Sequence, residues 1–123
     1  MILVDTSVWV DHLRSNDAGL VAALEAGIVL VHPFVIGELA CGNLKNRAEV
    51  LELLGQLPRA PVATNAEALV FIETRSLMGR GIGYIDVHLL ASVALAGDCL
   101  LWTRDRRLST VADDLELSFR EGE

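Results

Sequence analysis

The chain has 123 residues, with 17 acidic against 10 basic side chains and a net charge of −7, which excludes a broad cationic clamp for nucleic acid and leaves such contact to local arginines or bound cations. Hydrophobic residues make up 52%, enough for one core without disulfides and rich enough to anticipate a partner surface, while the two cysteines, Cys41 and Cys99, show no metal spacing and are expected as small buried hydrophobes. Charges and prolines break every apolar stretch short of a membrane span, and no basic leader opens the chain, so one soluble cytoplasmic domain over 1–123 without membrane contact is expected.

Ile2 to Val4 reads as a short buried strand that runs into Asp5-Thr6-Ser7, good capping residues for a helix to about Leu13. Ala18 to Ala26 has helical spacing and stops at Gly27, and the β-branched run Ile28 to Val31 predicts a second strand. Pro33 suits a first helical turn, so the apolar segment around Glu38 forms a helix ended by Gly42-Asn43. Asn46 to Leu57 continues as a helix, and Pro58 and Pro61 punctuate a loop before a brief strand at Pro61 to Ala63. Thr64 to Glu67 carries a capping-box pattern for a helix reaching Met78. Gly79, Gly81 and Gly83 mark a mobile loop, neither a P-loop nor a dinucleotide fingerprint, before a helix over Tyr84 to Ala96. Cys99 to Trp102 is a strand leading to Asp105 and a short helix, and Leu115 to Phe119 is a candidate last strand. Alternation on this scale predicts an α/β fold, a three-layer α/β/α sandwich with a mostly parallel sheet.

Two strands therefore end in carboxylates, Asp5 and Asp105, and the carboxyl ends of parallel strands face one crevice. Glu38 and Asp86 stand in apolar helical settings, where charges are seldom left without partners. If the four met, each pair about 5 Å apart would repel by roughly 3 kcal/mol at an effective dielectric of about 20. A hard divalent cation, Mg2+ or Mn2+, resolves that conflict, and no histidine or cysteine cluster offers the softer ligands that zinc favours. Taken singly the acids have plainer roles: Asp5 and Asp105 as helix caps, Asp86 at the positive end of a helix, Glu38 reaching to solvent from a helix rim.

DTSVW after the first strand, GEL in the third helix, YIDVHLLASVALAG and LLWTRD form an ordered set that resembles the PIN-domain ribonucleases, specifically the VapC toxins of VapBC toxin–antitoxin systems, over nearly the whole chain. The resemblance implies a metal-binding and catalytic quartet of Asp5, Glu38, Asp86 and Asp105, with Mg2+ or Mn2+ as cofactor for hydrolysis of RNA phosphodiesters. It further implies a homodimer and a VapB-like antitoxin as partner. Family members commonly carry an aromatic residue soon after the last aspartate, where this chain has Arg106, Arg107 and Leu108.

Ser7 and Thr103 are placed to hydrogen-bond and orient the carboxylates, or to close the turns they occupy. Arg80, Arg104, Arg106 and Arg107 gather cationic charge around the acids and are candidate RNA phosphate contacts. Two other readings compete. A haloacid-dehalogenase-like phosphatase also places an aspartate after its first strand, but usually wants another two residues on, where this chain has Ser7. A noncatalytic PIN-fold module would keep the fold without turnover.

Overall fold

Ile2, Leu3 and Val4 are consecutive apolar residues and all three are buried, the pattern of a strand covered on both faces. They form β1 (Ile2–Val4) at the centre of a computed structural model that describes residues 1–122. α1 (Thr6–Ser15) and α2 (Ala18–Glu25) lead from β1 to β2 (Val29–Leu30), and α3 (Pro33–Ala40), α4 (Arg47–Gln56), α5 (Asn65–Arg75) and α6 (Tyr84–Ala96) lead to β3 (Leu100–Trp102), which α7 (Arg106–Asp114) follows. The sheet is parallel throughout in the order β2-β1-β3, with Leu3 opposite both Leu30 and Leu101 and Val4 opposite Trp102. Parallel neighbours require crossovers, and the helices of those crossovers make the α/β sandwich expected from the alternation.

Local chemistry sets the helix ends. Asp17 Oδ1 accepts the Leu20 amide at the start of α2, and Thr64 with Glu67 forms a reciprocal capping box for α5. α6 buries every residue from Val87 to Val93 because it packs against both α5 and β3, so it has no polar face over that stretch. Leu3, Leu20, Leu89, Leu90, Leu101 and Leu108 are wholly shielded, and truncating such a leucine to alanine costs about 2–5 kcal/mol.

Several boundaries differ from expectation. No strand forms at Pro61 to Ala63: pairing falls earlier, where Val31 donates to the Pro58 carbonyl at 2.9 Å and accepts from the Ala60 amide at 3.0 Å, and Pro61 has no amide to extend it. Leu115 to Phe119 gives a single bridge of Ser118 to Leu101, since the residues before it are spent closing α7, with Glu116 at φ 59°. α5 stops at Arg75 rather than Met78 because Ser76 turns left-handed at φ 53° and swings Leu77 into the core. Cys99 is buried as expected, but Cys41 is exposed at the end of α3. Among the described residues no helix is long and apolar enough to cross a membrane.

Candidate active site

The ends of β1 and β3 lie side by side, the Asp5 amide donating to the Trp102 carbonyl at 2.9 Å. That pairing brings Thr103 against Asp5. Asp5 is only 6% exposed, and its Oδ2 accepts from Ser7 Oγ at 2.7 Å and from Thr103 Oγ1 at 2.8 Å, with the Ser7 amide at 3.4 Å. Both hydroxyls are themselves fixed by backbone: Ser7 Oγ accepts from the Arg104 amide at 3.0 Å, and Thr103 Oγ1 from the Asp105 amide at 3.1 Å. A hydroxyl that must accept from an amide has its proton left for the carboxylate, so the orientation of Asp5 is set before anything binds.

The remaining acids come from three other places. Asp105, exposed, caps α7 by accepting the Leu108 amide at 2.9 Å, and Leu108 itself fills the core. Asp86, half-buried in the first turn of α6, accepts the Gly83 amide at 3.2 Å. Glu38, exposed on α3, accepts from Thr6 Oγ1 at 2.8 Å. Burial pushes the Asp86 carboxyl above the usual aspartate range, the Gly83 amide opposes the rise, and the charges of Asp5, Asp105 and Glu38 add to it. The four acids thus share one electrostatic neighbourhood at the carboxyl edge of the sheet.

Among the described residues, none of these four carboxylates is ion-paired with a lysine or arginine. Nor do any three histidine, cysteine, aspartate or glutamate side chains stand in a ready coordinating arrangement there. Like charges repel, and each acid rests on its own donor, Ser7 and Thr103, Thr6, Gly83 or Leu108. The donor set is all oxygen and lacks a protein counter-cation, which fits a hard divalent ion in kind.

Thr6 was legible only as part of a capping sequence, yet it tethers Glu38 across 32 residues of chain. The arginines divide differently from expectation. Arg104 does not face the acids as a phosphate contact: its guanidinium is held by Asp11, Asp17 and Glu121 at 2.6–2.8 Å. Arg80 is turned to Asp114, at the end of α7, at 2.6 Å. Arg107 lies over Gly81 so closely that a side chain there would meet its guanidinium, and the φ of 82° at Gly81 suits glycine independently. Arg106 is exposed and has no ion pair among the described residues. A groove of about 630 Å³ starts at Thr6 and Glu38 and runs between α1 and the turn from α3 to α4.

Comparison with known proteins adds three findings. The family profile described as PIN domain matches residues 2–114. Ribonuclease VapC32 of Mycobacterium tuberculosis, in strains CDC 1551 and H37Rv alike, is 49% identical over 121 residues that cover 98% of each chain. Among solved structures, the crystal structure of FitAcB from Neisseria gonorrhoeae aligns with a TM-score of 0.59 at 24% identity, covering 92% of this chain and 94% of that one, a likeness of fold.

Proposed function

The chain belongs to the PIN domain family, in its VapC branch, and from that premise we propose that it is a divalent-metal-dependent endoribonuclease, the toxin of a toxin–antitoxin pair, formed by one nuclease domain over residues 1–123 and working in the cytoplasm. The observation that carries the reading is geometric: Asp5 and Asp105 follow the paired ends of β1 and β3, with the Asp5 carboxylate oriented by Ser7 and Thr103, and Asp86, raised first by burial, also feels the charges of Asp5, Asp105 and Glu38. Four acids in mutual repulsion weaken a fold unless the cation they attract is part of its work.

Asp5, Asp86 and Asp105 are the residues that would hold Mg2+ or Mn2+. When bound, the ion would supply Lewis acidity, polarising a phosphoryl oxygen and lowering the pKa of water. Asp5 enters the reaction already oriented, because Ser7 and Thr103 fix its Oδ2. Glu38 has Oε1 engaged by Thr6, which leaves Oε2 as the atom that would hold the attacking water and take its proton. Arg106, exposed in the first turn of α7, meets an RNA phosphate at the same edge.

Two partner surfaces support the toxin reading. The groove beside Glu38 offers Val10, Leu13, Leu39 and Val50 together with Arg14 and Lys45, a lining for an amphipathic antitoxin segment that also blocks the acids. Leu69 and Val70 on α5 are 58% and 61% exposed, an apolar pair for the homodimer. The haloacid-dehalogenase alternative loses its ground at Ser7, whose hydroxyl is spent on Asp5 where that chemistry needs a second carboxylate.

The test is cleavage of RNA by the purified protein in Mn2+. Cleavage is expected to stop with EDTA and in Asp5→Asn. Cleavage that survives both, or hydrolysis of small phosphate esters in place of RNA, overturns the proposal.

A further inference from the structure

Arg104 commits every guanidinium nitrogen to a different segment of the chain. Nη1 donates to Asp11 of α1 at 2.8 Å, Nη2 to Asp17 at the start of α2 at 2.6 Å, and Nε to Glu121 near the C-terminus at 2.7 Å. The guanidinium carbon lies 5.6 Å from the ring centroid of Trp102, whose Nε1 donates to the same Glu121 oxygen at 2.6 Å. The C-terminal segment reaches this point by running alongside β3 in the same direction: the Leu101 amide donates to the Leu117 carbonyl at 2.7 Å and the Phe119 amide to the Leu101 carbonyl at 2.8 Å. Burial works against the charge on Arg104, yet hydrogen bonds to Asp11, Asp17 and Glu121 raise its pKa on balance, and its bond to Asp17 lowers that carboxyl in turn.

The backbone of this residue faces the other way. Its amide holds Ser7 Oγ, which donates to Asp5, while Thr103 before it donates to Asp5 directly and Asp105 after it is one of the four acids. Residues 103–105 are therefore a short strip whose polar groups serve the acids and whose one outward side chain is fastened at three points.

We propose that Arg104 is a positioning residue: with Glu121 it latches the C-terminal segment and the α1–α2 corner onto the end of β3, and thereby fixes the two hydroxyls that orient Asp5. Without the latch, the strip is free to lift, and Asp5 loses Ser7 and Thr103 together. The metal consequence of this latch rests on the proposed nuclease reading.

The experiment compares the full chain with Arg104→Gln, Arg104→Lys, Glu121→Gln and Arg120→Gln. Arg120 makes only a peripheral 3.7 Å pair with Asp113, so its variant reports the loss of a surface charge. Two readouts are taken: Mn2+ affinity by calorimetry, and amide hydrogen exchange of the metal-free proteins. Loss of groups that orient metal ligands commonly weakens binding by 10- to 100-fold, and about tenfold is expected for Arg104→Gln, one step further out, with partial recovery in Arg104→Lys. Exchange is expected to quicken at the Arg104 and Asp105 amides in Arg104→Gln and Glu121→Gln, and to stay unchanged in Arg120→Gln. If Arg104→Gln does not fold, Glu121→Gln carries the comparison, since it leaves the pairs to Asp11 and Asp17 intact. Unchanged exchange at those amides, or quickening spread evenly over the chain, overturns the latch. A wild-type protein that takes up no Mn2+ overturns the nuclease reading instead, and the exchange comparison still decides the latch.

Discussion

Asp86→Asn is expected to abolish RNA cleavage and yet make the metal-free protein more stable. Asparagine keeps the volume and an oxygen to accept the Gly83 amide at the start of α6, so the substitution removes charge and little else. A unit charge about 8 Å from another repels it by roughly 2 kcal/mol at an effective dielectric of about 20, and solvent around the exposed Glu38 and Asp105 screens much of that. A net release of about 1–2 kcal/mol is the reasonable magnitude. The sign follows from linkage. The Asp86 carboxyl is raised in the fold above its ordinary 3.8, so as pH climbs from that value the unfolded chain ionises first. Folded protein then binds more protons, stability falls through the window, and the deficit persists at pH 7. Removing it should raise the melting temperature in chelator by about 3–8 °C for a chain of this size. Mn2+ at about a hundred times its Kd should then stabilise the wild type by about 2.7 kcal/mol and the variant by far less, reversing their order. Differential scanning calorimetry at pH 7, with EDTA and with Mn2+, reads both effects. A variant that melts below the wild type in EDTA, or that gains as much from Mn2+, refutes the shared-charge reasoning.

Acid should weaken the fold through His32, which is fully buried and whose pKa is lowered to about 4 by burial, by His88 and by Arg59. Its stabilisation is complete above the unfolded value of 6.5 and is lost as pH falls toward 4, on the order of 3 kcal/mol in all. Asparagine can replace the capping bond that His32 Nδ1 accepts from Phe34, so urea midpoints between pH 7 and 4.5 should shift less in His32→Asn than in the wild type. Thr103→Val keeps the shape but removes a donor to Asp5 and the acceptor for the Asp105 amide, and RNA cleavage should fall by about 10- to 100-fold without loss of the helical circular dichroism signal. Thr64→Ala, in the capping box of α5, should cost about 1 kcal/mol in urea unfolding and leave the rate of RNA cleavage as it was.

The parallel sheet was legible because its information is local: three consecutive buried residues in β1, glycine or proline at element ends, and side-chain caps within three residues of the helices they start. The expected strand at 115–119 is a single bridge at Ser118, and the one expected at 61–63 is replaced by a single bridge earlier, at Arg59, because strand length is decided by a partner and, at Pro61, by a missing amide. Arg104 was misread for the same kind of reason. Its neighbour in sequence is Asp105, but its partners are 93, 87 and 17 residues away, and nothing in TRDRR distinguishes an arginine facing phosphate from one facing Asp11 and Asp17. Thr6 and Glu38 show the reverse case: Glu38 was legible as an acid in an apolar helix, and its tether was not.

Helix capping and the proposed role as a functional acid, alternatives in the sequence for Asp5, Asp86 and Asp105, are compatible in the fold. Asp5 caps α1, Asp105 caps α7 and Asp86 sits in the first turn of α6, each accepting a backbone amide of its own helix start. Because α1 and α7 directly follow parallel neighbours β1 and β3, they begin at the same edge of the sheet, and two positive helix ends gather where Asp5 and Asp105 do, while α6 brings its own first turn and Asp86 from the glycine loop. A cap contributes about 1 kcal/mol and a favourable dipole about 0.3–1 kcal/mol, of the same order as the screened repulsion that each acid meets. Capping thus offsets the repulsion among these carboxylates, and Glu38, placed late in α3 with no helix start to support it, is the acid held by a side-chain tether from Thr6.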